Sequence, residues 1–305
     1  MRSQRGRKSP DRVVKEVRVR LAEFWKDYCL IDSGDGEKLE RWGDWILARP
    51  DPQALWPRIT PQAWETAHAW YERSSRGGGR WHTRARLPAE WEIGYRDLRF
   101  IVRPTDFKHT GLFPEQAVNW DWLRETIGNA GRDLSILNLF AYTGAATTAA
   151  AFMGAEVCHV DAAKGMVRWA ERNLEQNGLR DRRVRLICDD VLAFVLREGR
   201  RGRKYDAIII DPPSYGRGSR GEVWKLARDL PVLLDACRAV LSDRACFVQV
   251  NGYTAGYASA VYGNLLRTII APGRGGRIES DEIGLAAGAS GLVLPCGVFA
   301  RWIAP

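Results

Sequence analysis

The sequence predicts an α/β protein in which an open, doubly wound sheet follows a small domain of mixed β structure. From about residue 130, apolar runs typical of buried strands alternate with runs of helical spacing, which favours a parallel sheet covered on both faces. Crossovers between parallel strands are right-handed, so the sheet is expected to be open and doubly wound. The first half differs in composition, because ten of the 13 tryptophans lie before residue 123.

The elements of the small domain follow from local patterns. The stretch YCLIDSGDGEKLERW predicts two strands, because Gly34, Asp35 and Gly36 form a turn signal between them. The stretch ITPQAWETAHAWYERS predicts one helix, with Thr60 as its N-cap and Pro61 at its first position. A further strand pair is predicted in EWEIGYRDLRFIVRPT. The tryptophans could stack on bases, but we expect most of them to fill the small core.

The second half of the chain supplies the strands and helices of the large sheet. Five strand-like runs are followed by two final strands near residues 277–280 and 296–302. Helical runs separate them, and in the second helical run Met166, Ala170 and Leu174 share one face. The five runs are LSILNLF, EVCHV, VRLIC, YDAIII and CFVQV.

The chain is basic, with a formal net charge of +9. This charge has two readings, a well-solvated surface or binding to a polyanion. We favour nucleic acid as a partner because the basic residues occur in clusters. The clusters are Arg2, Arg5, Arg7, Lys8, Arg12, Lys15, Arg18 and Arg20; Arg182, Arg183 and Arg185; and Arg197, Arg200, Arg201, Arg203 and Lys204.

The cysteines and histidines do not predict a metal site. None of the six cysteines belongs to a CxxC pair, and four histidines accompany them. Cys158, Cys188, Cys246 and Cys296 lie in or beside apolar, strand-like runs, so we expect them to be buried and reduced, as in a cytoplasmic protein. No window of about 18 apolar residues is present, so no membrane span is expected.

Polar or flexible residues stand at the ends of the first four predicted strands. Gly144 follows the first strand, Asp161 the second, Asp189 and Asp190 the third, and Asp211 the fourth. Because ligands of an open parallel sheet bind at the carboxyl ends of its strands, we expect these residues to meet in one site. Each acid alone is equally consistent with a helix N-cap, but their order along the sheet favours a site.

This arrangement predicts a nucleoside without a pyrophosphate as the ligand. An acid after the second strand, here Asp161, binds a ribose because a carboxylate accepts two hydroxyl hydrogens. A dinucleotide requires G-x-G-x-x-G beside its pyrophosphate, whereas AYTGAAT offers one glycine, so a nicotinamide dehydrogenase is disfavoured. S-adenosylmethionine is such a nucleoside. Asp190, or alternatively Asp189, accepts from its adenine amino group, and the methionine part lies beside Gly144.

The sequence Asp211-Pro212-Pro213-Ser214-Tyr215 ends the fourth strand and predicts the place of methyl transfer. Two prolines fix the backbone and remove two N–H donors, which leaves carbonyl oxygens free to hold an N–H group of the acceptor. Tyr215 is expected to lie against a flat base. Methyl transfer is a displacement, so holding the acceptor in line contributes much of the catalysis. The alternative is that the prolines only end the strand with a rigid turn.

Four stretches together resemble the successive motifs of class I S-adenosylmethionine-dependent methyltransferases: LNLFAYTGAA, VDAAKGMVRWAERNLEQNGL, ICDDVLAFV and YDAIIIDPPSY. The likeness covers roughly residues 105–255 and is closest to bacterial large-subunit ribosomal RNA methyltransferases of the RlmI and RlmK kind. The stretch FKHTGLFPEQ is similar to the segment of that family that packs over the cofactor. The resemblance implies a Rossmann-like, seven-stranded sheet whose last strand is antiparallel.

The resemblance also implies the cofactor site, and the change in composition along the chain predicts its division. We expect a basic segment at residues 1–20, a small β domain for substrate recognition at 21–115, and the methyltransferase domain at 116–305. The residues expected to bind S-adenosylmethionine are Asn138, Tyr142, Thr143, Gly144, Asp161, Asp189, Asp190, Phe113 and Gln116. Those expected at the reacting group are Asp211, Pro212, Pro213 and Tyr215.

The expected acceptor is a nitrogen atom of a ribosomal RNA base, or another atom whose methylation needs no covalent catalysis. Methylation of cytosine at carbon 5 needs a cysteine nucleophile, which that family places after the prolines or after the fifth strand. Here Ser214 follows the prolines, and Asn251 and Gly252 end the fifth strand. Two alternatives remain: methyl transfer to a protein or a small molecule, and an inactive protein that only binds RNA.

Overall fold

The computed structural model describes residues 19–74, 78–217, 221, 223–288 and 290–305. The basic cluster at the amino terminus lies outside the described residues, except for Arg20. The division of the chain at residues 20 and 115 stays a prediction.

The amino-terminal part consists of short strands. These are β1 (Val19–Leu21), β2 (Tyr28–Gly34), β3 (Glu37–Trp42), β4 (Trp45–Pro50), β5 (Ala69–Arg73), β6 (Gly79–Thr83), β7 (Trp91–Tyr95) and β8 (Leu98–Val102). Strands β2 to β6 form a five-stranded sheet in chain order, and β7 and β8 form a hairpin. Asp35 and Gly36 connect β2 to β3 with φ angles of 53° and 78°, the conformation of a tight hairpin turn, which confirms this strand pair.

The predicted helix over residues 59–74 is wrong. A short 3₁₀ helix, Pro61–Thr66, occupies its first part, and the rest is β5. The ring of Trp70 stacks on His82 of β6, with centroids 5.2 Å apart, and aromatic residues pack well on a pleated sheet. His68 accepts a hydrogen bond from the backbone N–H of Ile46 at 2.9 Å, which ties this segment to β4. Pairing with β4 and β6 therefore outweighs the helical pattern.

The remaining chain alternates between strands and helices. The strands are β9 (Ser135–Leu139), β10 (Glu156–Asp161), β11 (Val184–Cys188), β12 (Ala207–Ile210), β13 (Tyr215–Arg217), β14 (Val223–Lys225), β15 (Phe247–Gly252), β16 (Arg277–Ala286) and β17 (Val293–Ile303). The α-helices are α1 (Ala117–Gly128), α2 (Ala145–Phe152), α3 (Lys164–Gln176), α4 (Val191–Arg200), α5 (Leu226–Val240) and α6 (Ser259–Leu265), and a π-helical turn, Leu266–Ile270, follows α6.

One large sheet has the strand order β1-β16-β17-β15-β12-β9-β10-β11, and β17 alone runs antiparallel to its neighbours. Strands β16 to β11 in this order are the predicted seven-stranded Rossmann-like sheet, which is confirmed. Strand β1 adds an eighth strand that the sequence did not predict. It pairs in parallel with β16, and Arg20 donates from Nε to Asp281 at 2.7 Å.

The continuous apolar run of β12 is explained by the layers on both faces of the sheet. Ala207 and Ile209 pack into one hydrophobic core, whereas Ile208 and Ile210 pack into the core on the opposite face. Strands β10 and β12 lie on opposite sides of β9, so the chain order reverses at β9. Crevices at such a reversal bind ligands in open α/β sheets.

The buried groups match the expectations in part. Each of the ten tryptophans before residue 123 is buried or half-buried. Of the four cysteines expected to be buried, Cys158 is buried, Cys246 and Cys296 are half-buried, and Cys188 is exposed because it ends the edge strand β11. Among the described residues, no helix has the length and apolar character that a membrane crossing requires.

Candidate active site

The carboxyl ends of the strands open into a cavity of about 710 Å³, a volume in the range of small-molecule sites. Asp161, Asp190 and Asp211 line it from the sheet. An adjoining cavity of about 50 Å³ shares Phe113 and Tyr142 with the first. The predicted residues at these cavities are Asn138, Tyr142, Thr143, Gly144, Phe113, Gln116, Asp161, Asp190, Asp211, Pro212 and Pro213.

The loop from β9 to α2 is held in an unusual conformation. Phe140 and Tyr142 have φ angles of 54° and 51°, which cost free energy in residues with side chains and are frequent in ligand-binding loops. Gly144 has a φ of 82°, and a Cβ atom there would lie 2.7 Å from Cβ of Ala170 on α3. Glycine is thus required here by the close approach of α3 as well as by the turn.

Asp161 ends β10 and is fixed by two backbone groups. Its Oδ2 accepts from the N–H of Tyr142 at 2.9 Å, and its Oδ1 accepts from the N–H of Ala163 at 2.8 Å. Burial raises the pKa of Asp161, although both hydrogen bonds favour the charged form. Each carboxylate oxygen keeps a lone pair for a further donor, so the side chain can accept the two hydroxyl hydrogens of a ribose.

The two acids after β11 have different surroundings. Asp190 is the N-cap of α4, accepts from the N–H of Ala193 at 2.8 Å, and also lines the large cavity. Asp189 forms an ion pair with Arg197 and is not among the lining residues. Geometry therefore favours Asp190 over Asp189 as the acceptor for an adenine amino group.

Asp211 and the two prolines form one corner of the large cavity. Burial and the charge of Glu115 raise the pKa of Asp211 to about 7, while a hydrogen bond from Asn251 acts in the opposite direction. No hydrogen bond within the described parts of the chain uses the carbonyl oxygen of Pro212. The carbonyl of Pro213 accepts from Nε1 of Trp224 at 2.7 Å.

The structure does not bring Tyr215 to this corner. Its side chain is 52% exposed and is absent from the cavity wall, so its predicted contact with a base stays a prediction. Trp224 on β14 lines the cavity instead. Its ring centroid is 4.8 Å from that of Phe140, which places a flat aromatic surface beside the prolines.

The segment before α1 packs against the loop from β9 to α2. The hydroxyl of Thr143 donates to the carbonyl of Gly111 at 2.6 Å. The Phe113 ring contacts the rings of Tyr142 and Tyr253, with centroids 5.6 and 5.5 Å away. Gln116 lines the smaller cavity. The segment thus covers the cavity, as its resemblance implied.

The β domain places cations in the same cavity wall. Lys38, Arg49 and Lys108 line it together with Asp51. Lys38 contacts Asp51 at 3.2 Å, and Arg49 is held by a buried glutamate, Glu40. Lys108 donates to a backbone carbonyl and has no carboxylate within 4 Å among the described residues. Burial, reinforced by the neighbouring cations, lowers the pKa of Lys108 to about 8.

Sequence reasoning missed several lining residues. Tyr253 directly follows β15, so the rule applied to the other strand ends would have found it. Lys108 and Glu115 lie inside the stretch FKHTGLFPEQ. Lys38 and Arg49 had no local signal, because their place in the site depends on how the β domain packs over the sheet.

The two internal basic clusters lie away from the cavity. Arg182 and Arg183 precede β11, and residues 200–204 join α4 to the amino end of β12, so these members lie at the amino ends of the strands, whereas Arg197 is paired with Asp189 after β11. Several members are paired; Arg183, for example, contacts Asp133 at 2.8 Å. None of their members is among the residues that line the cavity. The part of the chain that the structure describes contains no cluster of three or more potential metal ligands.

Comparison with known proteins identifies the class. The family model of S-adenosylmethionine-dependent methyltransferases matches residues 68–250. A SAM-dependent methyltransferase from Agrobacterium tumefaciens has a TM-score of 0.90 at 39% identity, covering 99% of this chain and 97% of that chain. A methyltransferase-like protein from Streptococcus mutans and SMU.776, which was solved with SAH, each have a TM-score of 0.69 at 21% identity, covering 92% of this chain and 76% of theirs.

A doubly wound sheet with an antiparallel seventh strand, and with acids at its carboxyl ends, defines a class I methyltransferase. The chain belongs to the S-adenosylmethionine-dependent methyltransferase family. S-adenosylmethionine is therefore its methyl donor, and the acids and the cavity volume fit that nucleoside.

Proposed function

We propose that this enzyme methylates a nitrogen atom of an RNA base, and that the RNA is ribosomal, as in the RlmI and RlmK kind of enzyme that the sequence resembles. The main support is the Asp211-Pro212-Pro213 corner, which lines the same cavity as cations of the β domain. A further support is the fold: aTrm5, solved with tRNALeu, has a TM-score of 0.50 at 11% identity, covering 90% of this chain and 71% of that chain.

In this proposal each strand end holds one part of the methyl donor. Asp161 accepts from the ribose hydroxyls, and Asp190 accepts from the adenine amino group. The methionine part lies along Asn138, Tyr142, Thr143 and Gly144, with Phe113 and Gln116 over it. The acceptor base lies against the proline corner, where carbonyl oxygens hold its N–H group in line with the methyl carbon.

The thiol nearest the reaction does not argue for carbon methylation. Of the six cysteines, Cys296 lines the large cavity, and its Sγ donates to a backbone carbonyl at 3.4 Å. Burial and the charge of Glu115 hold the pKa of Cys296 well above its usual range. A nucleophilic cysteine needs its thiolate at working pH, so this residue is unsuited to attack a base.

The cations of the β domain predict how RNA binding depends on salt. We expect Lys108→Met to weaken RNA binding and to reduce the slope of log K against log salt by about one, because one phosphate contact is lost. Lys204→Met, near the amino end of β12, serves as the matched control. It should leave the RNA affinity and the salt slope unchanged. Fluorescence anisotropy with labelled RNA measures this, and equal effects of both substitutions would contradict the assignment of Lys108.

The substrate is tested by transfer of labelled methyl groups. Total RNA from a strain that lacks this protein is incubated with the enzyme and labelled S-adenosylmethionine, and the nucleosides are separated. We expect label in ribosomal RNA, in a nucleoside methylated on nitrogen. Label in 5-methylcytosine would contradict the nitrogen assignment, and label only in protein would contradict the RNA substrate.

A further inference from the structure

A buried guanidinium is connected to the reacting end of the cavity by four buried amides. Arg301 lies on β17 and is fully buried, and no amide in this set is more than 6% exposed. The amides are Gln249 and Asn251 on β15, Asn119 on α1, and Gln116 just before α1. Such a set is costly to bury unless each group is paired, so the direction of each hydrogen bond is informative.

Arg301 fixes the orientation of two amides, because a guanidinium donates hydrogen bonds and accepts none. Its Nε donates to Oε1 of Gln249 at 2.8 Å, and its Nη2 donates to Oδ1 of Asn119 at 2.5 Å. If either amide were flipped, its NH₂ group would face the Arg301 guanidinium, which cannot accept a hydrogen bond. The NH₂ groups of Gln249 and Asn119 therefore point away from Arg301.

The orientations of Gln249 and Asn119 fix those of the next two amides, Asn251 and Gln116. Asn251 accepts at Oδ1 from Gln249 at 3.1 Å and from Asn119 at 3.2 Å. Gln116 accepts at Oε1 from Asn119 at 2.7 Å. Because these oxygens are used as acceptors, the NH₂ groups of Asn251 and Gln116 must donate onward. Asn251 donates from Nδ2 to the same Oε1 of Gln116 at 3.3 Å.

Gln116 donates from Nε2 to the hydroxyl oxygen of Tyr253 at 2.7 Å. Since this oxygen accepts from Gln116, the hydroxyl hydrogen of Tyr253 is directed elsewhere, and Tyr253 lines the large cavity. Burial and the charges of Glu115 and Asp211 hold the pKa of Tyr253 well above its usual range, so the hydroxyl keeps its hydrogen.

We propose that the Tyr253 hydroxyl donates a hydrogen bond to the methyl-acceptor ring, and that Arg301 is the positioning residue that sets this direction through Asn119 and Gln116. This inference rests on the proposed place of the acceptor beside Asp211 and Pro212. The corner then offers one donor beside carboxylate and carbonyl acceptors. It selects a ring in which an N–H group adjoins an acceptor atom, as on the Watson–Crick edge of a base.

Gln116→Glu tests the direction of the Tyr253 hydroxyl hydrogen without removing a side chain from the site. One carboxylate oxygen accepts from Asn119 and Asn251 as the amide oxygen does, and the other takes the hydroxyl hydrogen of Tyr253 away from the cavity. We expect kcat at saturating S-adenosylmethionine to fall about tenfold or more, as in Tyr253→Phe, since each loses one hydrogen bond to the acceptor. Tyr257→Phe, an exposed tyrosine four residues away, is the control and should retain wild-type kcat.

Fluorine NMR of protein labelled with 3-fluorotyrosine reports on the hydroxyl without any substrate. The Tyr253 resonance is identified by its loss in Tyr253→Phe, and Gln116→Glu should shift it. An unshifted resonance, or wild-type kcat in Gln116→Glu, overturns the inference. If the wild-type enzyme methylates no RNA, the proposed function fails, and the resonance alone then decides the inference.

The role of Arg301 is separated from a purely structural one by a double-mutant cycle. Arg301→Met should reduce kcat several-fold less in the Tyr253→Phe background than in the wild type, because both substitutions remove the same hydrogen bond. The same fold-loss in both backgrounds would contradict the positioning role of Arg301.

Discussion

Replacing Asp161 with alanine is expected to weaken S-adenosylmethionine binding about a hundredfold or more, because hydrogen bonds to charged groups contribute about 1.5–3 kcal/mol each. Both ribose hydroxyls would lose the carboxylate that accepts their hydrogen bonds. Its removal also leaves the N–H groups of Tyr142 and Ala163 without their partner, which loosens the loop from β9 to α2. Isothermal titration calorimetry measures the change in affinity. NAD is expected to bind neither the wild type nor Asp161→Ala.

Asp189→Asn is the matched control, because Asp189 is paired with Arg197 and does not line the cavity. Its affinity for S-adenosylmethionine should stay within about twofold of the wild type, whereas Asp190→Asn should weaken binding about tenfold through the lost adenine contact. If Asp161→Ala bound S-adenosylmethionine as the wild type does, Asp161 would not belong to the site.

Methyl transfer is expected to depend on a group that titrates near neutral pH. The pKa of Asp211 is raised to about 7 by burial and by Glu115, and we assign its charged form as the acceptor for the substrate N–H group. The value of kcat/KM should therefore rise as pH increases through about 7. Asp211→Ala should lower kcat about a hundredfold at pH 8, with little change in S-adenosylmethionine affinity.

Asp211→Asn distinguishes this group from others that titrate, because it should remove the rise in kcat/KM near pH 7. The same substitution is also expected to increase the stability of the protein. The unfolded state releases the Asp211 proton near pH 4 and the folded state near pH 7, so the wild type loses stability as pH rises across that window. The substitution should thus stabilise the protein above pH 7 by up to about 4 kcal/mol. If kcat/KM of Asp211→Asn still rose with pH near 7, the titrating group would be another residue.

The sheet and the acids at its strand ends could be predicted because both depend on local sequence. An apolar run covered on two faces, such as β12, ends where its backbone reaches water, so Asp161, Asp190 and Asp211 are visible as the first polar residues after strands. The same rule separates functional acids from caps poorly, and it grouped Asp189 with Asp190 although Asp189 is paired with Arg197.

Contacts between distant parts of the chain could not be predicted in this way. Strand β1 has three residues, and its pairing with β16 spans more than 250 positions. Strand β5 has helical spacing, and its neighbours β4 and β6 decide its conformation. Lys38 enters the cavity because a separate sheet packs over the strand ends, and no residue near it in sequence indicates this.

The central claim is that S-adenosylmethionine lies across the strand ends with its ribose on Asp161. A crystal structure of the complex with S-adenosylhomocysteine tests it most directly. We expect both ribose hydroxyl oxygens within about 3 Å of the Asp161 carboxylate, the adenine amino group at Asp190, and the sulfur directed at Pro212. A ligand bound outside this cavity, or with its ribose turned away from Asp161, would contradict the claim.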